Sequence, residues 1–110
     1  MLPSISSLAL GAALLIPVAD GVPSLNVEPG CRAAAKMGNN LDESLRICMA
    51  DENGARVQLE KEWTQFSVAL RERCVTTTRS GGDPSYVEVL VCLQMGRDAA
   101  RMERSSPAGR

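Results

Sequence analysis

Four cysteines, Cys31, Cys48, Cys74 and Cys92, constrain this chain more than any other feature. Neither pair is a C-x-x-C: Cys48 follows Cys31 by 17 positions, and Cys92 follows Cys74 by 18. That spacing gives no support to a thioredoxin-type redox site, and structural zinc sites carry closer pairs. An even count in a small domain that follows an export signal reads as two disulfides. Such a signal is present in outline. Leu8 to Ala19 is almost wholly apolar, the length of a signal-peptide core and too short to span a bilayer. Ala19 and Gly21 supply small residues at the two positions a signal peptidase reads, so cleavage is expected before Val22. No Lys or Arg precedes the apolar run, which departs from the usual basic start of such signals.

The resulting layout is a signal peptide over residues 1–21, a helical four-cysteine domain over 22–102 and a disordered tail over 103–110. The 110-residue chain fits one small domain. A mature part of this size buries a modest core, so covalent staples have a physical purpose.

The expected fold class is all-α, a bundle of about four helices. Pro29 suits the first turn of a helix that carries CRAAAKM, and Gly38-Asn39-Asn40 stops it. Asn40 with Glu43 resembles a capping box for a long second helix. Along it Leu41, Leu45, Cys48, Glu52, Ala55, Leu59 and Phe66 follow a 4-3 spacing, with Glu62 and Trp63 bracketing the slot between Leu59 and Phe66. Charges elsewhere on that helix fall in register as Asp42–Arg46, Glu52–Arg56 and Arg56–Glu60. Ser67 caps a third, shorter helix that Thr76-Thr77-Thr78 is expected to fray. Ser80-Gly81-Gly82-Asp83-Pro84 is a turn, and Ser85 with Glu88 forms a second capping box ahead of VEVLVCLQM. That Val-rich run could be a strand, but its cap and the absence of a partner strand favour a helix.

The layout ranks the cysteine pairings. Cys31 and Cys48 lie at similar distances from the turn at 38–40, and Cys74 and Cys92 from the turn at 81–82. In antiparallel hairpins each pair meets at one height. Cys48 and Cys74 would miss by roughly 15 Å at 1.5 Å per residue, against at most about 7 Å between disulfide Cα atoms. Cys31–Cys48 with Cys74–Cys92 is favoured; splayed helices would also admit Cys31–Cys92 with Cys48–Cys74.

Chemistry-bearing constellations are sparse. The chain has no His, the commonest general base and metal ligand. Twelve Lys and Arg against thirteen Asp and Glu give no field that points to nucleic acid. Asp51 and Glu52 are adjacent and diverge on a helix, as do the carboxylates of Glu60 and Glu62. No catalytic, cofactor-binding or metal residue is assigned. Glu52 sits in the apolar stripe and is either a ligand or proton site, or a half-buried carboxylate paired with Arg56 or another Arg. Trp63 and Tyr86 are expected in the core rather than in a stacking site. The stretch RICMADENGARVQLEKEWTQF is thus expected to be a core wall with Leu45, Cys48, Ala55, Leu59, Trp63 and Phe66 inward.

The pattern Cys48-Met49, Asp51-Glu52, Ala55-Arg56, Gln58-Leu59, Trp63, Phe66, Cys74, Ser85-Tyr86, Glu88, Leu90 and Cys92-Leu93 resembles an uncharacterised family of small exported four-cysteine proteins of rhizobia and related alphaproteobacteria. The resemblance covers roughly residues 31 to 100 and implies a helical, exported domain with no activity attached. The expected function is a non-enzymatic periplasmic or secreted module, without cofactor, that binds a protein or small-molecule partner or acts in the cell envelope. Nucleic acid and, once the signal is removed, a stable membrane span are not expected. The alternative is a thiol-redox or other enzymatic role in the periplasm.

Overall fold

Two helical hairpins, each closed by its own disulfide, pack through their long arms. The computed structural model describes residues 21–106, so residues 1–20 of the expected signal peptide and residues 107–110 lie outside the described part. Helix α1 (Glu28–Ala35) turns into α2 (Leu41–Glu62), and α3 (Val68–Ser80) turns into α4 (Tyr86–Ser105). A 3₁₀ turn at Trp63–Gln65 joins the hairpins. Helix α1 packs on α2, α3 on α4, and α2 against α4. No strand occurs among the described residues; VEVLVCLQM is helical.

The starts of α2, α3 and α4 are each fixed by a residue the sequence marks. Asn40 Oδ1 accepts from Glu43 N at 3.0 Å, Ser67 Oγ from Leu70 N at 3.2 Å and Ser85 Oγ from Glu88 N at 3.1 Å. Each bond satisfies an N–H that has no partner inside its own helix. Gly82, at φ 109°, supplies the left-handed residue of the α3–α4 turn.

Both disulfides join neighbours within a hairpin, Cys31–Cys48 with Cα atoms 5.5 Å apart and Cys74–Cys92 at 5.7 Å. They are not equivalent. Cys74 belongs to the main core with Leu25, Ala55, Leu59, Trp63, Phe66, Tyr86, Val89 and Leu93, and Cys92 packs against it. Cys31, on α1, is buried outside that cluster.

The stretch at 46–66 is a core wall. Ala55, Leu59, Trp63 and Phe66 are buried, while Leu45 and Cys48 are half-buried. Leu41, at the tip of the α1–α2 hairpin, is exposed. The Trp63 indole N–H finds no acceptor among the described residues, so this side chain acts through its volume and its ring face. The Arg71 guanidinium lies 5.4 Å from the Trp63 ring centroid and that of Arg97 4.8 Å from the Phe66 centroid. Of the expected charge pairs, Arg56–Glu60 forms at 3.1 Å, whereas Arg46 turns to Glu43 rather than Asp42.

Two boundaries differ from the sequence expectation. Helix α3 runs through the three threonines to Ser80. Thr77 Oγ1 donates to Arg73 O at 2.8 Å and Ser80 Oγ to Thr76 O at 2.7 Å, while the buried Thr78 hydroxyl bonds into the start of α4 and outweighs the small propensity cost. Helix α4 continues to Ser105, so residues 103–105, assigned to the tail, are helical; the Ser105 hydroxyl donates to Arg101 O at 3.1 Å.

Trp63→Ala is expected to lower stability by about 3–5 kcal/mol, since transfer and cavity terms add, while Glu60→Ala leaves the melting temperature nearly unchanged. Thermal melts of the two variants check this. The two disulfides close loops of almost equal length, so chain entropy alone would make them equal at roughly 3 kcal/mol each. Because Cys74 and Cys92 also pack with the core, the Cys74→Ala/Cys92→Ala pair is expected to melt at a lower temperature than Cys31→Ala/Cys48→Ala. Equal melting temperatures would remove the core contribution.

Candidate functional site

The buried polar groups converge on the first turn of α4. Glu52, on α2 and only 7% exposed, turns its carboxylate across the hairpin interface. Its Oε1 accepts from Tyr86 N and its Oε2 from Ser85 Oγ, both at 2.6 Å. It does not pair with Arg56, as the sequence suggested; Arg56 bonds Glu60 Oε2 and Asn53 Oδ1 on its own helix. The reason is electrostatic. A helix N-terminus offers free N–H donors and a partial positive charge, and the stripe position points Glu52 at α4, not along α2.

Thr78 of α3 completes the arrangement from the other side. It is 0% exposed. Its Oγ1 accepts from Ser85 N at 2.9 Å and donates to the Glu88 carboxylate. In an ordinary capping box the Glu would reach back to the cap's own N–H. Here a threonine hydroxyl stands between the two halves and ties α3 into the cap.

The phenol of Tyr86 works at the opposite end of the residue. Its hydroxyl accepts from Leu25 N at 2.8 Å and donates to Pro23 O at 3.2 Å. The segment before α1 is therefore a strap. Leu25 is buried, and Val22 and Val27 are half-buried against the core. Sequence inspection gave this segment no role beyond a lead-in. Its one legible mark was three apolar residues in six positions.

Two concavities flank this junction. The first, about 270 Å³, is bounded by the strap and α2, with Leu25, Met49, Glu52, Asn53, Arg56 and Tyr86 on its wall. Glu52 is already engaged by two donors there, so it behaves as a structural anion that caps α4. The second is an open apolar groove of about 750 Å³ between α3 and α4. Leu70, Val87, Val91 and Met95 form its walls, and Arg73 and Glu88 are its charged members. Val91 is 46% and Met95 66% exposed. Gly96 keeps Leu70 close to α4, because a Cβ there would meet Leu70 Cδ1 at 2.6 Å.

All four cysteines are in disulfides, with no free thiol among the described residues. The carboxylates of Glu60 and Glu62 take partners other than those of Glu52. Glu60 pairs with Arg56, and Glu62 accepts from Gln58 at 3.1 Å and faces Arg97 at 3.8 Å. Among the described residues no helix is long and apolar enough to cross a membrane. No family model, curated protein or solved structure matches this chain.

Removing the Glu52 carboxylate strands the buried Tyr86 N–H, at a cost of roughly 1–3 kcal/mol, and also frees the half-buried Ser85 hydroxyl. Glu52→Ala is therefore expected to destabilise strongly. Glu52→Gln should fall between it and wild type, since the amide can accept from only one of the two donors. Urea denaturation would show that order; a Glu52→Ala protein as stable as wild type would make the carboxylate dispensable to the junction.

Proposed function

We propose that this chain is an exported, non-enzymatic helical module whose α3–α4 face binds the apolar side of a partner helix in the cell envelope. The observation that carries the proposal is the open groove lined by Leu70, Val87, Val91 and Met95, which no element of the described residues covers. Exposed apolar patches of this kind mark interaction sites. Val87, Val91 and Met95 recur every four residues and so form a ridge of the kind that packs into the groove of another helix. Met95 adapts its shape to the surface it meets. Arg73 and Glu88 provide one charge of each sign to orient the incoming helix.

The two disulfides support a compartment outside the reducing cytoplasm, and the apolar segment before Val22 supports export as the route there. Bonding of all four cysteines favours a structural over a thiol-redox role. The proposal includes membership of the exported four-cysteine family that the sequence pattern resembles.

A photoreactive amino acid at Val91 is expected to form a discrete adduct in the native envelope, whereas the same group at Glu60 on α2 should not. Met95→Glu should abolish the Val91 adduct while leaving the thermal melt of the isolated protein within about 0.5 kcal/mol of wild type, as for other surface changes. Equal labelling from Val91 and Glu60 would remove the groove as a partner site.

A further inference from the structure

The strap that Tyr86 grips begins at the residue where export processing is expected to leave the mature chain. We infer that docking of Val22–Val27 shields the bond between Gly21 and Val22 from the signal peptidase, so that cleavage is fastest before the strap docks. This rests on the export reading and adds an order of events to it. The bond is cut by hydrolysis: its C–N link breaks, the water oxygen joins Gly21 as a carboxylate, and Val22 leaves as an ammonium. A peptidase must hold several residues on both sides of that bond in extended, accessible form.

The residues on the far side are not accessible once the domain is folded. Val22 is half-buried against the core and Leu25 is 9% exposed. Between them the backbone is already bonded, Pro23 O to the Tyr86 hydroxyl at 3.2 Å and Leu25 N to the same oxygen at 2.8 Å. Gly21 itself is exposed, with no heavy atom beyond its chain neighbours within 4 Å of its Cβ direction. Susceptibility to cutting follows burial and hydrogen bonding of the backbone rather than sequence position. Cleavage of the folded precursor is thus limited to moments when the strap opens. The strap in turn depends on Tyr86, whose own N–H is held by Glu52, so protection appears only after the two hairpins have met.

The test uses the full 110-residue chain in detergent micelles with signal peptidase, cutting followed by intact mass. With both disulfides formed, wild type is expected to be cut at 21–22 at least about tenfold more slowly than the reduced, unfolded chain. Tyr86→Phe keeps the ring and loses both hydroxyl bonds, which at ordinary net strength corresponds to roughly a thirtyfold rise in opening and in cutting rate. If Tyr86→Phe fails to fold by circular dichroism, Leu25→Ala loosens the strap in its place, with the same acceleration expected. Equal rates for folded wild type, the loosened variant and the reduced chain would overturn the inference while leaving export intact. A reduced chain that is not cut at this bond would overturn the export reading, and the inference with it.

Discussion

The fold depends on one carboxylate meeting one helix end. Glu52 leaves α2, crosses the interface between hairpins and accepts from both the cap hydroxyl and the first N–H of α4. A buried carboxylate without partners would be costly, and a buried helix N-terminus without acceptors equally so; each removes the other's penalty. The junction also fixes register. Sliding α4 by one turn, about 5.4 Å, would separate both bonds at once. Thr78 adds α3 to the same point, and the phenol of Tyr86 adds the strap. The strap, α2, α3 and the start of α4 therefore meet around Ser85 and Tyr86.

The disulfides act at a lower level of organisation. Each closes a hairpin that sequence-local turns already favour, and neither crosses between hairpins. They reduce the freedom of the unfolded chain, whereas apolar packing and the Glu52 junction decide how the stapled halves meet. This division explains the groove. Helix α4 spends one face on α2 and another on α3, and the arc with Val87, Val91 and Met95 is left open beside Leu70 of α3 among the described residues. A two-hairpin plan leaves the outer helix pair with an open side, and here that side is aliphatic rather than charged.

Much of the architecture was legible in the sequence. Asn40, Ser67 and Ser85 announced three helix starts because capping is a local interaction between residues three apart. The cysteine pairs were legible because both lie across a short turn, where axial rise sets the height at which they meet. Trp63 and Phe66 were recognisable as core from the stripe they end. The fraying expected at Thr76–Thr78 did not occur, since propensity differences of tenths of a kcal/mol are small beside a buried hydroxyl that satisfies two groups.

The sequence by itself determined the helices, their caps, the two hairpins and their staples, all of which rest on interactions within about twenty residues. Only the tertiary structure decided what Glu52 binds, that residues 22–27 form a strap under Tyr86, and which apolar side chains remain uncovered. The physical reason is separation along the chain. Glu52 and Tyr86 are 34 positions apart and Leu25 and Tyr86 61, so no periodicity or spacing encodes their meeting. A carboxylate in an apolar stripe signals that some buried donor awaits it; which donor that is depends on how two preformed hairpins pack.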